Sequence, residues 1–202
     1  MDFFETVRKR RSIRHYSDQP VANQDILTML EAAILAPNAT NEQPWRFIVI
    51  RDRVLREGMR DVINAVVETM LSATDNESRQ QRLSGMKLYS THFATAPVAI
   101  AVLARPWVGG GYAPPTVSTH RDLALLSVAM AVAHLQLAAT ALGYNSCFAS
   151  GPAEFAREEL EAMLGMEQPW FLVGMISLGI AAKPPRERPP RKPVAEVCKF
   201  IG

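Results

Sequence analysis

Cysteine is nearly absent: Cys147 and Cys198 are the two in 202 residues. That excludes a disulfide framework and the paired-cysteine spacing of a zinc site, and it makes a reducing, cytoplasmic setting the expectation. Histidine is as sparse. His15, His92, His120 and His134 share no ligand spacing, so no metal site is expected. Excess charge is missing too, since 22 Lys and Arg against 20 Asp and Glu leave a formal net charge of +2. A dedicated nucleic-acid binder has a strongly basic domain, and with aromatics at only 7% no stacking platform is interleaved with the basic residues. No internal repeat is present, and the stretch 1–5 lacks a basic region leading into an apolar run, so no secretory leader is expected.

One apolar run is long enough to mislead. Residues 123–142 read LALLSVAMAVAHLQLAATAL, which as a helix would measure roughly 30 Å, about a membrane's hydrocarbon thickness. Ser127, His134, Gln136 and Thr140 interrupt it, alanine dominates it, and no second span accompanies it. The expectation is a helix buried on nearly all sides, in a core or a subunit interface, with no membrane partner.

What is present is an ordinary globular composition, 48% hydrophobic and 21% charged, with ample length for a core. Asp2 can cap a short first helix carrying Phe3, Phe4 and Val7 on one face. A second helical stripe, Ile26, Leu27, Leu30, Ala33 and Ile34, is ended by Pro37. Strands are expected at 45–50, 98–103, 145–149 and 171–180, and helices over 54–70 and 153–164. Gly143 is a C-cap for the long apolar helix. The polar run 74–81 reads as a mobile surface segment, and the Gly- and Pro-rich stretch 105–115 as a variable lid. The tail from Lys183 should be extended, because Pro184, Pro185, Pro189, Pro190 and Pro193 punctuate it. It ends in Val194, Val197, Phe200 and Ile201, an apolar group that needs a surface to dock on. Helix-rich stretches alternating with few strands indicate an α+β or three-layer domain of unspecified strand order.

Charge is concentrated at the two ends. Arg8, Lys9, Arg10, Arg11 and Arg14 surround Ser12 and Ile13, while Arg186, Arg188, Arg191 and Lys192 stud the tail. Arginine's planar fork suits phosphate, and a hydroxyl adds a neutral donor. Cations at a helix end also explain Arg8 and Lys9, but not the alternate spacing of Arg10, Ser12 and Arg14, which puts all three on one side of an extended segment. Asn38, Asn41 and Gln43 concentrate amides before Trp45, a combination suited to a ring-shaped ligand. Ser150 and Gly151, between a strand and a helix, let the backbone approach a ligand closely. Cys147 reads as core rather than nucleophile. The triplet 109–111 lacks the lysine and helix of a P-loop and reads as a flexible loop.

In that order and spacing, 10–14 (RRSIR), 36–45 (APNATNEQPW), 141–144 (ALGY) with Ser150 and Gly151, Leu178 with Gly179, and 191–197 (RKPVAEV) resemble the FMN-dependent nitroreductase family over nearly the whole chain. The resemblance implies an α+β, three-layer α/β/α fold. Its central sheet would be mostly antiparallel with helices on both faces, and the homodimer intertwined. Residues 1–202 would form one domain, with 183–202 an extension docking on the partner subunit. It implies that Arg10, Ser12 and Arg191 hold the FMN phosphate, helped by Arg188 or Arg186, and that Arg11 contributes through its backbone or ring contacts. Arg14 would reach the flavin's pyrimidine edge or ribityl chain, and the backbone of Ser150 and Gly151 the N5 side. Pro37, Asn38, Ala39 and Asn41 would come from the partner. Hydride would pass from NAD(P)H through flavin N5 to a nitroaromatic, quinone or similar acceptor, with no catalytic side chain required. Same-fold alternatives are a flavin-cleaving or dehalogenating enzyme, and a non-catalytic flavin carrier or sensor. Family members often carry an acidic residue where this chain has Ser150, and 64–74 shows no match to the polar flavin contacts of some subgroups.

Overall fold

Four segments rich in Val, Ile and Ala pair into one antiparallel sheet: β1 (Trp45–Ile50), β2 (Val98–Ala104), β3 (Asn145–Ala149) and β4 (Phe171–Gly179), in the order β1-β2-β4-β3. The computed structural model describes residues 1–108, 117–185 and 187–202. Every residue of β2 is buried, which is why its sequence is continuously apolar instead of alternating. Its side chains still divide by pleat. Val98, Ile100, Val102 and Ala104 join one core, and Ala99, Ala101 and Leu103 the other.

The first core is closed by α2 (Asn23–Ile34) and α5 (Val117–Ala141), through Ile26, Met29 and Ala33 on one and Val128, Leu135 and Ala139 on the other. The second is closed by α3 (Arg53–Ser72), α4 (Glu77–Thr91), α6 (Gly151–Phe155) and α7 (Arg157–Met163), whose anchors include Met59, Ile63, Leu83 and Leu160. Helices therefore cover both faces of the sheet, the three-layer α/β/α arrangement. Asp2 caps α1 (Phe3–Lys9) by accepting from the Glu5 amide at 2.9 Å. Gly143, at φ +88°, turns the chain out of α5 in the left-handed region where glycine carries no steric penalty.

Several elements differ from expectation. The segment 74–81 is not a surface coil: Asn76 Oδ1 accepts from the Arg79 amide at 3.0 Å and opens α4. The helix expected over 153–164 starts at Gly151 and breaks at Ala156 (φ −145°, ψ 43°). The extended tail contains one helical turn, α8 (Val194–Val197). Within one chain α5 is buried along one side only, with Leu126 and Met130 exposed. Phe3 and Phe4 on α1, Leu27 and Ile34 on α2, and Phe200 and Ile201 in the tail are exposed as well. The lid expected at 105–115 and the glycine triplet 109–111 fall largely or wholly outside the described residues.

Gly174, in β4, is required by close packing. A Cβ there would lie 2.4 Å from the Ala149 carbonyl oxygen and 2.7 Å from the Phe148 ring. The bare glycine leaves room for that ring, which lines the same cleft as Ser150 and Gly151.

Candidate functional site

The fold brings the two arginine segments together. Arg188, in the tail, donates through Nη2 to the carbonyls of Val7 (3.1 Å), Arg8 (2.8 Å) and Arg10 (2.8 Å). These lie at the C-terminal end of α1, where carbonyls lack helical partners and a cation is favoured. Arg11 Nη2 donates to the Glu187 carbonyl at 2.7 Å, and Arg191 Nη1 to the Pro189 carbonyl at 3.2 Å. Arg10 sits half-buried at this junction. Burial, then the neighbouring Arg188, Arg191 and Arg11, push its guanidinium below its ordinary pKa. Among the described residues no ion pair involves Arg10, Arg11, Arg188 or Arg191, whereas Lys9 is matched by Glu5 at 2.7 Å. A desolvated cation among like charges fits an anionic group. Arg186 lies outside the described residues.

From that junction the chain runs along the edge of β3. Ser12 bridges Ser146 in parallel, and the Ile13 amide donates to the Ser146 carbonyl at 3.2 Å. Ser12 is exposed, while Ser146 Oγ is buried without a partner among the described residues. Cys147 is buried, and burial pushes its thiol up, against the opposing pull of Arg14, Ser12 and Arg10. A protonated core thiol matches the sequence expectation.

Arg14 then enters a cleft of about 230 Å³, lined among others by Tyr89 and Ser90 of α4, His92, Phe148, and Ser150 and Gly151. Its guanidinium rests over the Tyr89 ring at 4.6 Å, and its Nε is buried with no partner among the described residues. Gly151 is forced by contact: a Cβ there would fall 1.9 Å from Ser90 Oγ. Ser90 and Tyr89 were not foreseen, because the segment containing them carries almost no helical stripe.

His92 was also missed. It is 5% exposed, and its Nδ1 lies 2.9 Å from Ser177 Oγ, which in turn lies 2.7 Å from the Tyr16 hydroxyl. Burial raises the Tyr16 phenol. Burial, then Arg14 and His15, lower the His92 imidazole from 6.5 to about 4. Below pH 6.5 the unfolded chain therefore takes up this proton before the folded one does, so folding stability falls as pH drops towards 4. The expected loss is about 3 kcal/mol. Urea titrations of the protein without added ligand, from pH 7 to 4, measure it, and His92→Asn should flatten that part of the slope.

The amide loop lies elsewhere. Thr40, Asn41 and Gln43 take φ of 51°, 56° and 49°, conformations that non-glycine residues keep only when held in place. The holding contacts are Asn38 Oδ1 accepting from the Gln43 amide (2.8 Å), Ser127 Oγ accepting from the Ala39 amide (3.3 Å), and Trp107 Nε1 donating to Thr40 Oγ1 (3.0 Å). Pro37, Asn38, Ala39 and Asn41 do not line the cleft. The loop leads into β1 and the cleft borders β3, the two opposite edges of the sheet.

The sequence model of the Nitroreductase family matches residues 7–180, a span that holds the junction's N-terminal half, the amide loop and the cleft. An Archaeoglobus fulgidus protein provisionally named an NADH dehydrogenase/NAD(P)H nitroreductase is 30% identical over 171 residues, covering 84% of this chain and 80% of its own. A 5,6-dimethylbenzimidazole synthase of Rhodospirillum rubrum is 28% identical over 181 residues, covering 90% and 81%. Among solved structures, a BluB-like flavoprotein from Clostridium difficile 630 superposes with TM-score 0.90 at 32% identity, covering 100% of both chains. A nitroreductase with bound FMN from Desulfitobacterium hafniense DCB-2 gives 0.73 at 22% identity, covering 98% and 97%. With well over half its length matched, this chain belongs to the Nitroreductase family.

Proposed function

We propose that the chain is a homodimeric, FMN-dependent oxidoreductase that passes hydride from NAD(P)H to a small oxidised acceptor such as a nitroaromatic or quinone. The observation that carries this reading is the junction of arginines that have no ion pair among the described residues, leading into a cleft lined by Arg14 and His92, each with a buried nitrogen unpartnered among those residues. Arg10 to Arg14, in extended conformation, covers roughly 13 Å, the scale of a phosphate, a ribityl chain and the edge of a ring. Arg10, Arg191 and Ser12 would hold the phosphate. Arg14 would meet the ring's polar edge, and the Ser150–Gly151 backbone would approach its reactive side. Bound FMN supplies the redox chemistry. The protein's own residues anchor the cofactor, orient it and shield it from water.

The loop 37–41 completes this site only if it comes from a second copy, because each chain carries the loop and the cleft at opposite sheet edges. The exposed apolar residues of α1, α2, α5 and the tail are the surface such a copy would cover. The names carried by the archaeal relative and the FMN-bound nitroreductase support the cofactor and the reaction class. An absorption spectrum of purified protein, before and after NADPH under nitrogen, tests the reading. A flavin spectrum that bleaches is expected, and a colourless protein that takes up no FMN sinks it.

A second reading draws on the Rhodospirillum relative and the BluB-like structure: flavin consumed instead of recycled. Product analysis after aerobic turnover separates the two, since an oxidoreductase returns FMN intact. Truncation before Lys183 removes both Arg188 from α1 and Arg191 from the junction. FMN affinity should fall at least about tenfold, and light scattering should show a weakened dimer. Unchanged flavin content would refute the role given to Arg191.

A further inference from the structure

We infer that His92 is a positioning residue for the flavin, its imidazole held from behind by Ser177 so that Nε2 meets the ligand's polar edge beside Arg14. The inference rests on reading the cleft as the flavin site.

The geometry begins with a fixed ring. His92 Nδ1 is engaged by Ser177 Oγ at 2.9 Å, and Ser177 Oγ is itself placed 2.7 Å from the Tyr16 hydroxyl and 3.3 Å from the Cys147 carbonyl. Tyr16 also donates to the Ile13 carbonyl. Three separate parts of the chain thus place the hydroxyl that engages one nitrogen of this imidazole.

That second nitrogen is left over. His92 Nε2 is buried and has no hydrogen-bond partner among the described residues, although His92 lines the cleft. Arg14 Nε, in the same cleft, is buried and unpartnered as well. An unpaired buried polar atom is costly, and here two of them belong to residues that line one cavity. A planar heterocycle whose edge alternates acceptors and donors satisfies both at once. Arg14 would supply the charge. His92, with a cation beside it and burial around it, stays uncharged at neutral pH and supplies a directional hydrogen bond. Contacts behind a ring that lock its orientation in this way are how sites hold a ligand to sub-ångström tolerance.

The test uses flavin-free protein titrated with FMN, followed by quenching of flavin fluorescence. His92→Asn keeps a polar group within reach of Ser177 and removes the nitrogen that faces the cleft. It should weaken FMN binding about five- to tenfold without lowering the melting temperature of the flavin-free protein. A readout on the unmodified protein accompanies it: the ¹⁵N resonance of His92 Nε2 should shift on saturation with FMN, and the shift reports whether that nitrogen donates or accepts. An Nε2 resonance that stays in place, or His92→Asn binding FMN as tightly as the unmodified protein, overturns the inference. An unmodified protein that takes up no FMN at all overturns the cofactor reading instead, and is recognised before any variant is made.

Discussion

Arg10→Ala should weaken FMN binding by about ten- to a hundredfold, the range for a lost charge-assisted hydrogen bond, while leaving the flavin-free protein as stable as before or more so. The two halves of this expectation have one cause. Arg10 is desolvated and faces Arg188, Arg191 and Arg11 with no carboxylate paired to it among the described residues, so in the absence of an anion its charge opposes folding. An anionic phosphate would add an attraction that offsets both the desolvation and the mutual repulsion. Thermal melts of the flavin-free variant and FMN titration of the same sample measure both. A variant that binds FMN normally, or that loses stability without flavin, contradicts the clamp. The substitution leaves the Arg10 carbonyl in place, so the contact from Arg188 to α1 survives.

Gly174→Val should cost roughly 2–4 kcal/mol of stability and abolish flavin retention. The first added carbon already overlaps the Ala149 carbonyl oxygen at 2.4 Å, a backbone atom that can move only if β3 moves. The Phe148 ring, at 2.7 Å, lines the cleft and would be expelled into it. Gly85→Ala is the matched control. Gly85 lies inside α4, and a Cβ there meets nothing within 4 Å, so it should stabilise by about 0.5–1 kcal/mol. Urea unfolding of both variants shows opposite signs for the same kind of change.

The strands were legible because their apolar residues report burial directly: the 45–50 segment coincides with β1, and 98–103 falls one residue short of β2. The helix α4 was not legible, because only Leu83 and Ser90 are buried along it and a stripe of that weakness resembles a solvated coil. Nor could composition show the break at Ala156, which is a matter of backbone angles. The arginine junction was visible as two local charge excesses that needed a common partner. Arg188 shows the limit of that view, since the structure places one of its nitrogens on two α1 carbonyls and that of the capping residue Arg10. His92 was beyond reach for a different reason. Its significance depends on Ser177, 85 residues away, and on an Arg14 brought close only by the fold.

The placement of the amide loop and the arginine junction at opposite edges of one sheet bears on inheritance as well as chemistry. If each flavin site draws its two halves from different chains, a chain damaged at 37–41 and a chain damaged at Arg10 are not equivalent defects. Either one alone yields dimers with no sound site. Mixed in one cell, they assemble dimers in which both lesions fall on the same site and the other is built wholly from intact parts. Two inactive alleles would then restore one another's activity.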